Sequence, residues 1–207
     1  MPTPAILPVD ALLLLDYVGI GVFAISGALL AAEKKQTLVT FIFFAGVTGV
    51  GGGTVRDLLI GAPVFWVHTN STLLICIAAA VLVWFLSRGL IADKALLWFD
   101  AIGLAAYSTY GAAKALNYGV APVPAFAMGV MTACVGGIIR DVLANEPSIL
   151  MRPELYVTAA ALASGLFVAL TLFGAPATLA ALVAGLAGFS LRGAAIARGL
   201  SLPAYDR

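Results

Sequence analysis

The chain has few charged residues and almost no histidine or cysteine. Of its 207 residues, 10% are Asp, Glu, Lys or Arg, and there are one histidine and two cysteines. Soluble proteins have about 25% charged residues, so this chain lacks the side chains needed to cover a water-facing surface. A formal net charge of +1 provides no phosphate-binding surface, and we expect no nucleic-acid partner. Without a histidine–carboxylate cluster or a nucleophile beside a base, the chain is not expected to be an enzyme.

Apolar residues take the place of the missing charges. Hydrophobic residues make up 62% of the chain, there are 22 glycines, and the mean hydropathy is +1.08. A membrane-spanning helix needs about 20 largely apolar residues, and seven runs approach this length: about 11–32, 37–60, 70–88, 95–117, 122–144, 155–173 and 176–192. The sequence therefore predicts an all-α, polytopic membrane protein with seven transmembrane helices, forming a single membrane domain (1–207) surrounded by lipid.

Basic residues predict how the chain crosses the membrane. Residues 1–10 contain no Lys or Arg, so we expect the first apolar run to be retained as a helix rather than removed as a signal peptide. One set of loops, with the C-terminus, carries eight basic residues: Lys34, Lys35, Arg88, Lys94, Arg152, Arg192, Arg198 and Arg207. Arg56 and Arg140, which are considered below, are left out of this count, and the opposite side has only Lys114. The positive-inside rule then places the N-terminus outside and the C-terminus in the cytoplasm of a cell whose inner membrane holds the protein.

The chain matches itself when it is shifted so that Asp16 falls on Asp100, and we call this shift the repeat offset. Residues 16–63 then align without gaps on residues 100–147, with 13 identical pairs. The informative identities involve residues that are rare or that perturb helices: Asp16 with Asp100, Gly52-Gly53 with Gly136-Gly137, Arg56-Asp57 with Arg140-Asp141, and Pro63 with Pro147. Because each copy contains three spans, the second copy enters the membrane from the opposite side. The sequence therefore predicts two inverted repeats, about 11–88 and 95–173, followed by an unpaired helix at about 176–192.

The repeated motif combines glycines with an Arg-Asp pair. It reads Gly51-Gly52-Gly53-Thr54-Val55-Arg56-Asp57 in the second span and Val135-Gly136-Gly137-Ile138-Ile139-Arg140-Asp141 in the fifth. Glycine costs about 1 kcal/mol in a helix relative to alanine, so these clusters predict broken helices that line a pore, with Pro63 and Pro147 ending them. The alternative is that the glycines only allow close helix packing.

Charges within the spans need partners or water. Neighbours in a helix point about 100° apart, so we expect Arg56 and Arg140 to pair with Asp16 and Asp100 rather than with the aspartates that follow them. Asp57 and Asp141 would then remain available to attract a cation. The alternative is that these are ordinary charges at the membrane interface.

Lys114 lies in the fourth span on one face with Asp100, Gly103, Tyr107 and Gly111. A lysine deep in an apolar segment predicts a functional site, and we expect Lys114 to line or plug a pathway with Asp57 as its partner. The alternative is that its ammonium group extends to the outer surface.

The paired G-G-x-x-R-D motifs, each with proline six residues after the aspartate, resemble those of the prokaryotic branch of the trimeric intracellular cation (TRIC) channels. The resemblance covers nearly the whole chain and implies a homotrimer with one pore in each protomer, conducting monovalent cations, chiefly potassium. It also implies the pore residues: Gly51, Gly52, Gly53, Arg56, Asp57, Gly136, Gly137, Arg140 and Asp141. No cofactor or bound metal is implied beyond the permeant cation.

Two other functions stay open at this point. Prokaryotic relatives of this type are also labelled as glycine transporters, and half-helix ends at a repeat interface suit a small zwitterion. A membrane scaffold without transport is the third reading, which the charges inside the spans disfavour. Asp16, Asp100 and Lys114 support the pore residues in our preferred reading, a passive cation channel.

Overall fold

The computed structural model describes residues 9–86 and 94–203, and over these residues the chain is all-α. Seven helices follow one another in the order α1 Val9–Glu33, α2 Leu38–Leu59, α3 Asn70–Leu86, α4 Ala95–Asn117, α5 Pro122–Leu143, α6 Val157–Leu172 and α7 Ala177–Arg198. Each begins and ends within a few residues of a predicted run, except that α7 continues beyond residue 192. The predicted fold class is confirmed.

Length, composition and burial identify a membrane protein. Four helices are long and apolar enough to cross a membrane (α1, α2, α5 and α7), and α3 and α6 are shorter apolar helices. The protein's outer surface presents apolar side chains such as Phe43, Leu58 and Leu186. By contrast, the largest fully buried side chains in the described part of the chain include Arg56, Arg140 and Arg192. This distribution is the reverse of a soluble protein, because a surrounding solvent of hydrocarbon favours apolar side chains outside.

Helices α2 and α5 end in the same way. Gly61 and Asn145, which are equivalent at the repeat offset, have left-handed backbones with φ of 68° and 54°. The next amide of each donates back to the aspartate carbonyl: Ala62 N to Asp57 O and Glu146 N to Asp141 O, both at 2.9 Å. These are Schellman ends. The prediction that Pro63 and Pro147 end the helices is wrong, because the left-handed residue has already reversed the chain.

Gly61→Ala should lower the protein's stability through backbone strain alone. A Cβ at Gly61 would meet no atom within 4 Å, so no steric clash contributes. A left-handed conformation costs an L-residue about 1–2 kcal/mol, and we expect a loss of about that size, measured as a lower midpoint of thermal unfolding in detergent. Asn145→Gly is the matched control and should be neutral or slightly stabilising. Equal tolerance of Gly61→Ala and Asn145→Gly would contradict the assigned backbone.

Helices α1 and α4 cross at the centre of the bundle through reciprocal contacts. A Cβ at Gly19 would lie 2.4 Å from the ring of Tyr107, and one at Gly103 would lie 3.0 Å from the ring of Phe23. Gly19 is equivalent to Gly103 and Phe23 to Tyr107 at the repeat offset. α1 also packs on α2 and α3, α4 packs on α5, α6 and α7, and α7 packs on α6. Equivalent residues of the two repeats therefore have equivalent neighbours.

Helices α2 and α5 cross by backbone contact at their glycines. A Cβ at Gly52 would lie 2.1 Å from the carbonyl oxygen of Thr132, and one at Gly136 would lie 2.5 Å from that of Thr48. Both helices are continuous across the glycines, from Leu38 to Leu59 and from Pro122 to Leu143. The predicted break is therefore wrong. The physical reason is that the glycines remove side chains where two intact helices touch, which was the alternative interpretation.

Candidate functional site: two buried charge clusters

The first cluster consists of Asp16, Arg56, Asp57 and Lys114. Arg56 Nε donates to Asp57 Oδ1 at 2.9 Å, and Lys114 Nζ lies 2.9 Å from the same oxygen and donates to Oδ2 at 3.0 Å. The backbone amide of Phe65 donates to Asp57 Oδ2 at 3.2 Å. Asp57 and Arg56 are fully buried, and the Lys114 side chain is 15% exposed. Asp57 is thus the acceptor around which this cluster is built.

Aromatic rings complete the first cluster. The guanidinium of Arg56 lies 4.9 Å from the ring centre of Tyr110, and Lys114 Nζ lies 5.6 Å from that of Phe65. Tyr107 donates its hydroxyl to Asp16 Oδ1 at 3.1 Å. Arg56 Nη2 approaches Asp57 Oδ1 to 2.8 Å but out of line for a hydrogen bond, so neither Nη nitrogen has an acceptor. Ring faces partly compensate these buried cations.

The second cluster consists of Asp100, Arg140, Asp141 and Ser26. Arg140 Nε donates to Asp141 Oδ1 at 2.9 Å. Its Nη1 donates both to Asp100 Oδ1 and to the Ser26 hydroxyl, each at 2.9 Å. The amide of Ile149 donates to Asp141 Oδ2 at 3.0 Å. Arg140 is therefore held by two carboxylates, whereas Arg56 is held by one.

The two clusters share one arrangement of hydrogen bonds around their Arg-Asp pairs. Phe65 and Ile149, whose amides hold the aspartates, are equivalent at the repeat offset, and each begins a short 3-10 helix, Phe65–Val67 and Ile149–Met151. The clusters differ at two equivalent positions: Ser26 corresponds to Tyr110, and Leu30 corresponds to Lys114. Lys114 balances the formal charge of the first cluster. The second cluster, with two carboxylates and one guanidinium, keeps one net negative charge.

The clusters lie near opposite ends of α4. Asp100 lies in its second turn and Lys114 in its last turn, a separation of about 21 Å along the axis at 1.5 Å per residue. A cavity of about 240 Å³ opens at the second cluster; its lining includes Leu30, Glu33, Arg140, Asp141, Glu146 and Arg152. At the first cluster the residue equivalent to Leu30 is Lys114, which reaches into the site and contacts Asp57.

The structure tests the predicted pairings directly. The Asp100–Arg140 and Lys114–Asp57 pairs are confirmed. The Asp16–Arg56 ion pair is wrong as a direct contact, because Asp16 is hydrogen-bonded to Tyr107 and Arg56 turns to Asp57.

The expectation that an arginine does not pair with the next residue is also wrong. Both arginines curl back so that Nε and Nη2 approach the adjacent aspartate, a reach that the long side chain allows. Asp57 and Asp141 are consequently occupied by protein donors. They are not left free to attract a cation, contrary to the sequence-based prediction.

Several contributing residues were missed. Ser26, Tyr110 and the two backbone amides carry no charge, so only their equivalence to a residue of the other repeat could have drawn attention to them. Tyr107 was placed on the face of Lys114, but its hydrogen bond to Asp16 was not predicted. Arg192 was assigned to a loop, but it is buried in α7, with Nη2 at 2.7 Å from Glu154 Oε2. Arg88 and Arg207, also used to predict orientation, lie outside the described residues.

One surface pair joins the halves of the chain beside the cavity. Lys34, after α1, donates to Glu146, after α5. The ammonium group of Lys34 lowers the pKa of the Glu146 carboxyl. Because both groups are solvent-accessible, this contact orients the two loops and contributes little stability.

Comparison with known proteins agrees with this duplicated arrangement. A family model described as "Glycine transporter" matches the chain twice, at residues 13–88 and 97–172. The two matched stretches are equivalent to each other at the repeat offset. A solved structure of a TRIC trimeric intracellular cation channel orthologue from Rhodobacter sphaeroides superposes with a TM-score of 0.89, at 43% identity, covering 92% of this chain and all of that one. The chain belongs to the prokaryotic TRIC family.

Curated relatives extend the family without assigning a function. A UPF0126 membrane protein of Vibrio cholerae is 39% identical over 206 residues, covering 96% of this chain and 84% of the relative. The UPF0126 inner membrane protein YadS of Escherichia coli is 37% identical over 195 residues, covering 92% and 94%. The two stretches matched by the family model include all the residues of both charge clusters, so this TRIC family member has its site within the shared part of the fold.

Proposed function

We propose that this protein is a passive channel for monovalent cations, chiefly potassium. The observation that carries the proposal is the pair of buried clusters near opposite ends of α4, in a chain whose solved neighbours are described as cation channels. Intramembrane charges that are this deeply buried are costly and are typical of ion pathways. Such a channel performs no covalent chemistry, in agreement with the expectation that the chain is not an enzyme.

The proposed route runs between the clusters and past the crossing of α2 and α5. The pore residues are those predicted from the motif, Gly51, Gly52, Gly53 and Gly136, Gly137 at the crossing, with Lys114 and the Arg-Asp pairs at the ends. The glycines contribute by letting the helices approach, so gating requires the two backbones to separate. The net negative charge of the second cluster favours cations over anions at that end.

Membrane orientation and assembly belong to the same proposal. The equivalent contacts at the repeat offset support two inverted three-helix units, 11–88 and 95–173, with α7 outside the repeat. The N-terminus then lies outside and the C-terminus in the cytoplasm of a cell inner membrane, which places the cavity at the second cluster on the cytoplasmic side. We infer a homotrimer in contact with membrane lipids, with one pore per protomer, no cofactor and no nucleic-acid partner.

A secondary carrier for glycine is the second candidate, because the matching family model bears that description. In that case a zwitterion would bind between the clusters, and the two units would rock to expose it alternately. The continuous α2 and α5 disfavour this reading, since binding sites of such carriers are usually formed by interrupted helices.

Planar-bilayer recordings of the purified protein under a potassium gradient distinguish these functions. We expect discrete openings whose reversal potential follows the potassium equilibrium potential, and no saturable glycine uptake in vesicles. Asp100→Asn, which reduces the negative charge of the second cluster, should lower the conductance. Glycine uptake without discrete currents would overturn the channel.

A further inference from the structure

The loop between α5 and α6 supplies two of the groups that hold the second cluster. The amide of Ile149 donates to Asp141 Oδ2 at 3.0 Å. Tyr156, which is 1% exposed, donates its hydroxyl to the carboxylate of Asp100. A Cβ built on Gly137 would lie 3.0 Å from that hydroxyl and 3.5 Å from Asp100 Oδ1. The position of this loop therefore determines how both aspartates are held.

The equivalent loop at the first cluster is fastened within its own repeat. Trp66 follows Phe65, whose amide holds Asp57, and donates its indole Nε1 to the hydroxyl of Thr54 in α2 at 2.9 Å. At the repeat offset, Trp66 corresponds to Leu150 and Thr54 to Ile138. Those two side chains are apolar and cannot form this hydrogen bond. The loop of the second cluster therefore needs another attachment.

That attachment comes from α7, which lies outside the repeat. Arg192 is 1% exposed, and its Nη2 lies 2.7 Å from Glu154 Oε2 in the loop. Its guanidinium also lies over the ring of Tyr156, 5.3 Å from the ring centre. Helix α7 packs closely beside the loop, since a Cβ at Gly188 would lie 2.7 Å from Ala163 of α6. A buried arginine is costly unless it is paired, so the ion pair ties α7 to the loop.

The segment after α7 adds backbone contacts to the same loop. Gly199, with a left-handed φ of 66°, ends the helix and turns the chain. Ser201 then forms an antiparallel bridge with Glu154, and the amide of Leu202 donates to the carbonyl of Pro153 at 2.7 Å. The loop is thus attached to α7 by a side-chain ion pair and by the backbone that follows the helix.

We propose that Arg192 is a positioning residue for the second cluster and that α7, with the segment after it, anchors the loop between α5 and α6. The inference rests on the proposed channel, because it gives the unpaired seventh helix a role at the end where the cavity of about 240 Å³ opens. Trp66 has the corresponding role at the first cluster, from within the repeat. Releasing one anchor should loosen one loop and leave the other unchanged.

Amide hydrogen exchange of the full chain in nanodiscs, followed by mass spectrometry of peptides covering 149–156 and 65–72, tests this without measuring currents. Exchange reports how often a segment opens locally. Arg192→Met removes the guanidinium and should speed exchange in 149–156 roughly tenfold to 150-fold, the factor for one hydrogen bond to a charged group, without changing 65–72. Trp66→Phe should do the opposite, speeding exchange in 65–72 alone by roughly twofold to twelvefold.

Conservative and paired variants separate positioning from general loosening. Arg192→Lys keeps a positive charge opposite Glu154 and should retain most of the protection of the loop. Glu154→Gln should resemble Arg192→Met, and combining the two should add no further increase, because residues that act as a pair are not additive. Leu202→Pro removes the amide that donates to Pro153 and should speed exchange in 149–156 roughly twofold to twelvefold. Leu202→Ala keeps that amide and should not.

The outcomes distinguish the anchor from the channel. Equal increases in both loops after Arg192→Met, or additive effects of Arg192→Met and Glu154→Gln, would overturn the anchor. If Arg192→Met does not fold, equal exchange in Leu202→Pro and Leu202→Ala would overturn it instead. Loop-specific exchange in a protein that carries no current would leave the anchor standing and refute the channel. Potassium currents with unchanged exchange in every variant would do the reverse.

Discussion

Replacing Lys114 with methionine should increase potassium conductance. The ammonium group contacts Asp57 at the first cluster, so a permeating cation at that end meets a positive charge that has no counterpart at the second. A unit charge about 10 Å away contributes between roughly 0.4 kcal/mol in water and 1.7 kcal/mol at an effective dielectric constant of about 20. Removing it should therefore raise single-channel conductance roughly twofold to eighteenfold, measured in planar bilayers.

The internal duplication supplies the matched control for this experiment. Lys114→Arg keeps the charge and should keep the conductance close to that of the unaltered protein. Leu30→Lys places an ammonium group at the equivalent position of the second cluster, within reach of the cavity that Leu30 lines, and should reduce conductance. If Lys114→Met leaves currents unchanged while the protein remains folded, Lys114 does not obstruct the pathway.

Gly52→Ala should destabilise the protein strongly and abolish transport. Its Cβ would lie 2.1 Å from the carbonyl oxygen of Thr132, which belongs to helix backbone and cannot rotate away. Overpacking typically costs about 1–3 kcal/mol and occasionally more, and a backbone clash belongs at the upper end. Gly136→Ala, facing Thr48 at 2.5 Å, should behave similarly. The measurement is gel filtration after heating, in which both variants should lose the monodisperse peak at a lower temperature than the unaltered protein.

Gly46→Ala is the control for this substitution within the same helix. A Cβ at Gly46 would meet nothing within 4 Å, and alanine is favoured over glycine in a helix by about 1 kcal/mol. Gly46→Ala should therefore be neutral or stabilising and should conduct normally. Similar heat sensitivity in Gly46→Ala and Gly52→Ala would mean that helix propensity, rather than the α2–α5 contact, governs the result.

The positions of the charge clusters could be predicted because rare residues recur in the sequence. Two pairings were predicted from helix position and from the cost of burying a charge in an apolar surrounding: Asp100 with Arg140, and Lys114 with Asp57. Asp16 with Arg56 followed from the same reasoning and was wrong. The difference comes from Tyr107, an uncharged residue of another helix whose hydroxyl reaches Asp16 first.

The glycine motif shows more clearly which features follow from local sequence and which depend on a neighbouring helix. A cluster of glycines lowers helix propensity, which is a local property and correctly marks an unusual place in α2 and α5. Whether that place is a break or a contact depends on the neighbouring helix. Thr132 and Thr48 place carbonyl oxygens where a Cβ would stand, and the packing of the two helices offsets the poor intrinsic propensity.

Sequence alone determined that this chain is an all-α membrane protein with seven helices, and it located the residues that match at the repeat offset. Hydropathy and composition are sums over neighbouring residues, so they can be calculated from the sequence without knowledge of the fold. Only the tertiary structure decided that α2 and α5 are continuous and that each arginine of the motif donates to the aspartate that follows it. It also decided that Asp16 and Asp100, which are equivalent, have different hydrogen-bond partners. Those outcomes depend on which atom of another helix lies within about 3 Å, the range of a hydrogen bond, and no local pattern contains that distance.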